Sequence, residues 1–165
     1  MVKTITIVLT IASVLLLNAC GESSPQPQNG QPPPAFVLPL LDGGTSRFPE
    51  DYANRLVAIR FWADWCPFCE SEMQALQPVF EQYREQGLEI LAVNVRQDPE
   101  TAAAFIQKLG VGYPTLLDQE GEVARRYGVL GLPTTYFVAR DGRLIGKIIG
   151  ESTPEMFLSM LEGRF

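Results

Sequence analysis

The sequence predicts a single α/β domain with a mixed central sheet flanked by helices, and three observations predict it. Two near-continuous apolar runs, LVAIRFW at 56–62 and LEILAVNV at 88–95, suit strands buried on both faces. Strand-like and helix-like segments follow one another as βαβ, then αβ, then α, then ββα. Arg140-Asp141-Gly142 is a hairpin signal between two further apolar runs. There is no internal repeat.

Taken in order, Phe36–Leu41 reads as a short extended piece and Leu41–Thr45 (LDGGT) as a turn. Leu56–Trp62 is the first core strand. Cys66–Gln86 is a helix candidate, with Met73, Leu76, Val79, Phe80 and Tyr83 at helical spacing and Gly87 as its stop. Pro78 should kink or split it, because proline removes one backbone hydrogen bond and crowds the preceding turn. Leu88–Val95 is the second core strand. Asp98-Pro99-Glu100 opens a helix that Gly110 closes. Thr115–Leu117 reads as a short strand and Glu120–Tyr127 as a short helix ended by Gly128. Thr134–Ala139 and Arg143–Ile149 form the hairpin. Thr153–Leu161 is a final helix, with Met156, Phe157, Met160 and Leu161 on its inward side.

The chain has 165 residues, 46% hydrophobic and 19% charged, enough for one soluble domain with an appendage. No histidine is present, which excludes Ser-His and Cys-His catalytic units and the usual mixed Cys/His zinc sites. The formal charge is −6, and nothing in it invites nucleic acid, since phosphate neutralisation needs clustered Lys and Arg.

The appendage is N-terminal. Lys3 precedes an apolar stretch from Ile5 to Leu17, too short to span a bilayer comfortably but suited to an export signal. It ends in Leu17-Asn18-Ala19-Cys20, which resembles the lipobox of bacterial lipoproteins. That resemblance implies a signal peptide over 1–19 and lipidation of Cys20, with two or three acyl chains anchoring the chain to a membrane. Residues 20–35 are then expected to form a Pro/Gln/Ser-rich linker, able to lift the domain over 36–165 roughly 40 Å from the bilayer.

Cys66 and Cys69 remain. A closed metal site needs about four ligands, and the only other cysteine is Cys20, so no metal is expected. A bridge across so small a loop adds little stability. Redox exchange, by contrast, wants a strand ending at Trp62, a loop, and Cys66 at a helix start, with Pro67 in the first helical position. There the helix dipole favours a thiolate. Cys66, exposed, would attack; Cys69, shielded one turn inward, would resolve.

WCPFC at 65–69 after a buried strand, with GLPTTYFV placing Pro133 64 residues beyond Cys69, resembles the thioredoxin superfamily. More closely, the chain is similar to the exported TlpA/ResA-like branch over about 35–165, including an extra helix-plus-strand segment at 98–118 between the central strands. The resemblance implies a thioredoxin fold, a redox-active Cys66–Cys69 disulfide with no other cofactor, and Pro133 as a cis proline beside the cysteines. Leu132 and Pro133 would present backbone to an extended substrate, with Trp65, Pro67 and Phe68 as further substrate contacts and Trp62 in an apolar rim around the sulfurs. Glu72 matches the branch's Cys-x-x-Cys-x-x-Glu pattern and would exchange the Cys69 proton. Two departures stand out. Arg60 replaces the buried acid of thioredoxins; it either holds a thiolate charged from below or turns outward. Gln74 lies where the branch often has proline.

These expectations describe a lipid-anchored, extracytoplasmic, monomeric thiol–disulfide oxidoreductase facing the periplasm or outer cell surface. Its partners would be protein thiols and disulfides and a membrane or extracytoplasmic electron donor. The TlpA/ResA resemblance favours reduction, including of apocytochrome c during cytochrome c maturation. The rivals are a disulfide-donating oxidase, a thiol peroxidase and a non-catalytic chaperone-like binding module. The Pro-x-x-x-Thr-x-x-Cys pattern of the peroxidases is not found.

Overall fold

The computed structural model describes residues 26–165; the signal segment and Cys20 lie outside them. A five-stranded sheet of order β5-β4-β3-β6-β7 forms the centre. Strand β3 (Leu56–Trp62) lies in the middle and all seven of its residues are buried, as a both-faces-apolar run requires. It pairs parallel with β4 (Leu88–Val95), which pairs parallel with β5 (Thr115–Asp118). On its other side β3 runs antiparallel to β6 (Thr134–Val138), which continues through the expected hairpin into β7 (Leu144–Ile149). The sheet is therefore mixed. The 98–118 segment lies between the central strands in sequence, but in space it extends the parallel edge.

A second, smaller pairing was not expected from sequence. β1 (Phe36–Pro39) and β2 (Thr45–Phe48) form an antiparallel hairpin around the anticipated turn, with Phe36 opposite Phe48. Leu40 bridges to Leu116 and so ties the hairpin to β5.

The helices bury one stripe each. Helix α1 (Cys69–Tyr83) sets Met73, Leu76, Val79 and Phe80 against the sheet at helical spacing. Pro78 does not split it: the helix runs through, because Pro78 and Gln74 are both exposed and water can take the Gln74 carbonyl that proline leaves unbonded. A short 3₁₀ turn, Arg84–Gln86, and Gly87 at φ 97° end it. Helix α2 (Pro99–Leu109) starts at Asp98, whose carboxylate accepts from Thr101 N–H at 2.8 Å. These bonds hold the Asp98 carboxyl below its ordinary range. Helix α3 is Glu122–Tyr127 and helix α4 is Pro154–Ser159. In α4, Phe157 faces inward as expected, whereas Met156 is exposed. One core fills the α1/α2/α4 side of the sheet and a second the hairpin/α3 side. Each large side chain fully buried there contributes roughly 1.5–3 kcal/mol.

The linker expectation needs correction. Residues 26–35 lie along the domain rather than standing off it. Gly30 N–H donates to Leu144 C=O at 2.8 Å, Leu144 N–H to Gln31 C=O at 2.9 Å, and Arg143 Nη1 to Gly30 C=O at 2.7 Å. Pro34 C=O accepts from the Tyr127 hydroxyl, and Pro33 is buried. The domain therefore begins about ten residues earlier than expected.

Candidate active site

Phe61 pairs with Thr134, so the end of β3 that feeds the Cys66 loop adjoins the start of β6, where Pro133 stands. Both candidate motifs thus meet at one end of the sheet. Cys66 and Cys69 are joined by a disulfide, with Cα atoms 5.4 Å apart. The helix does not begin at Cys66. Its N–H donates to Ala63 C=O at 3.2 Å and its carbonyl accepts from Cys69 N–H at 3.1 Å, so residues 66–69 form a turn and α1 starts at Cys69. Pro67 accordingly lies in this turn rather than in the first helical turn.

The expected difference in exposure is absent in this disulfide form: Cys66 is 2% exposed and Cys69 0%. The turn leaves Trp65, Pro67 and Phe68 outside and draws both cysteines within. Trp65 is 68% exposed and Phe68 43%, fitting a contact rim. Trp62 does not belong to it. It is fully buried and stacked on Phe105, because even-numbered β3 residues face the α1/α2 side.

The Leu132–Pro133 bond is cis. Pro133 C=O is already used, accepting from Gly150 N–H at 2.8 Å, whereas Leu132 makes no backbone hydrogen bond among the described residues. The Leu132 backbone groups are therefore unpaired beside the disulfide-bearing loop.

Below the cysteines lies the answer to Arg60. It turns inward, is fully buried, and its Nη2 pairs with Glu72 Oε2. Its Nη1 donates to Thr135 Oγ1 at 3.0 Å. Glu72 Oε1 accepts from both the N–H and, at 2.6 Å, the Oγ of Ser152. The charge pair therefore links β3, α1, β6 and the loop before α4. Sequence reading missed Thr135 and Ser152. The available signal was Arg60 itself, since a cation inside a fully buried strand demands an acid on the element packed over it. Tyr113 closes the same region, donating to Met73 C=O at 2.9 Å; burial pushes its hydroxyl well above the ordinary range, so it stays a neutral donor. Among the described residues no cluster of three or more His, Cys, Asp or Glu could hold a metal ion.

A disulfide closed by a turn at the head of a helix, beside a cis proline on a mixed sheet, defines a thioredoxin-fold thiol–disulfide exchange site. Comparisons with known proteins agree. The model of the AhpC/TSA family matches residues 29–146. The thiol-disulfide oxidoreductase ResA of Geobacillus thermodenitrificans is 36% identical over 133 residues, covering 81% of this chain and 76% of that protein. ResA of Bacillus thuringiensis is 32% identical over the same shares. A solved Chlorobium tepidum protein, provisionally assigned as the thiol:disulfide interchange protein DsbE, superposes with TM-score 0.75 at 25% identity, over 82% of this chain and 99% of that one. The chain belongs to the AhpC/TSA family and, within the thioredoxin superfamily, is a TlpA/ResA-like thiol–disulfide oxidoreductase.

Proposed function

We propose that this oxidoreductase works in the reductive direction on protein disulfides outside the cytoplasm, as a lipid-anchored monomer, with apocytochrome c as a substrate. The observation that carries the exchange step is the Cys66–Cys69 disulfide at the mouth of an exposed apolar rim. In the reduced enzyme the Cys66 thiolate attacks a partner disulfide, forming a mixed disulfide and releasing one partner thiolate. The Cys69 thiolate then attacks the Cys66 sulfur and releases the second. The partner gains two electrons, and the enzyme is left in the disulfide form described here. A dithiol donor outside the cytoplasm or in the membrane restores it. Both cysteines pack in the same core, so the order rests on the backbone: Cys69 lies within the first turn of α1, whereas Cys66 stands outside the helix, in the turn whose Trp65, Pro67 and Phe68 are exposed. Glu72, three residues past Cys69, has both carboxylate oxygens engaged, by Arg60 and Ser152, and so fixes the start of α1 over β3 rather than shuttling the Cys69 proton. The similarity to ResA proteins and the Leu17–Cys20 pattern support direction and anchoring respectively.

Expressed in its own compartment, Cys69→Ala should accumulate mixed disulfides that vanish on reduction, and Cys66→Ala should trap few. Equal trapping by both variants would overturn the assigned order. Direction is checked by the reduction potential: about −250 mV is expected, whereas about −120 mV would make the protein a disulfide donor.

A further inference from the structure

We propose that the groove beside the disulfide selects partner segments that carry acidic side chains next to the exchanging cysteine. This rests on exchange at Cys66 and Cys69 and adds the class of segment that reaches them. A groove of about 470 Å³ extends from Trp65, which precedes Cys66, to Leu132, which precedes Pro133. Its apolar surface includes Trp65, Val129 and Leu130, and Leu130 is 95% exposed, far more than a large aliphatic side chain needs to be for packing.

Its charge is one-sided. Arg96 and Arg125 line it and no carboxylate does, although the whole chain carries 19 acidic residues against 13 basic ones. Several other arginines are engaged: Arg47, Arg55 and Arg60 in ion pairs, Arg126 and Arg140 on backbone carbonyls. Arg96 has no ion-pair partner among the described residues. Arg125 has only Glu122 at 3.8 Å, with both side chains about two-thirds exposed, a contact worth little and easily exchanged. The placement of Arg96 is built in. It leaves β4 at φ 57°, its N–H held by Asp118 C=O at 3.0 Å, and its side chain crosses Gly121, where a Cβ would come within 2.9 Å of Arg96 Cγ. An extended segment can thus lay apolar side chains on Trp65 and Leu130 and set a carboxylate between two guanidiniums. Such complementarity raises the rate of encounter more than it changes the final equilibrium.

The test uses the full-length protein in detergent, reduced, and three synthetic disulfide peptides that differ only in having Glu, Gln or Lys on either side of the cysteine. Exchange is followed by rapid-mixing tryptophan fluorescence, and each rate is divided by the same peptide's rate with dithiothreitol. The Glu peptide should react about tenfold faster than the Lys peptide at low salt, with the ratio shrinking as salt rises. In the Arg96→Gln/Arg125→Gln double variant the ratio should fall to within about twofold, while Arg164→Gln, remote from the groove, keeps it. A wild-type ratio near one, or a ratio that survives the double variant, overturns the proposal while leaving exchange intact. A concentration-dependent dimer that hides Trp65 also overturns it, placing a second copy in the groove. No reaction with any peptide would instead sink the exchange reading, and this proposal with it.

Discussion

Arg60 and Glu72 are charged groups kept from water, so neither is free to lose the other. Removing one partner leaves a bare charge in the core, a loss of roughly 3–5 kcal/mol, whereas replacing both with apolar groups of similar volume is often close to neutral. Arg60→Met should therefore lower stability by several kcal/mol in urea unfolding, and Arg60→Met/Glu72→Leu should recover most of it. A double variant no better than the single would show that the pair is not coupled. At this scale the sequence was only half legible. Cys66, Cys69 and Glu72 stand in a recognisable pattern, but whether Arg60 points in or out depends on strand register. The even-numbered β3 residues face α1, and that fixes Arg60 under Glu72. The burial of Cys66 was also hidden, because it follows from the turn geometry of 66–69 rather than from any side chain.

Core strands are the elements read best from sequence. β3 and β4 match the apolar runs residue for residue, since burial on both faces selects a nearly continuous apolar composition. β2, whose four residues are Thr-Ser-Arg-Phe, gave no such signal; only the alternate burial of Ser46 and Phe48 reveals it. The segment 26–35 was illegible for another reason. Its attachment to β7 runs mainly through backbone groups, and composition says nothing about where those go. The attachment is testable. A chain beginning at Phe36 should melt several degrees below one beginning at Gln26, because the Tyr127 hydroxyl loses Pro34 C=O. Burial already pushes that hydroxyl well above its ordinary range. An unsatisfied buried donor costs about 1–3 kcal/mol, and each kcal/mol shifts the melting temperature of a domain this size by roughly 2–8 °C. Equal melting temperatures would mean that the segment contributes nothing.

For the molecule as a whole, the proposed lipid on Cys20 would decide where chemistry can occur. In cells, Cys20→Ser should lose fatty-acid label and leave the membrane fraction; label retained in the variant would place the lipid elsewhere. The described chain begins at Gln26, whose side chain lies against Gly128, just before the loop that carries Leu130 and Leu132 to the disulfide. Whatever precedes Gln26 is therefore joined to the domain on the reactive side. From Cys20 to Gln26 the backbone takes six steps, about 20 Å at full stretch, half the reach a free linker would allow. Anchored at Cys20, as proposed, an enzyme held so closely by its own doorway would not search the surrounding space. Its customers would then be proteins whose cysteines arrive within a few nanometres of the bilayer, before they have travelled away from it.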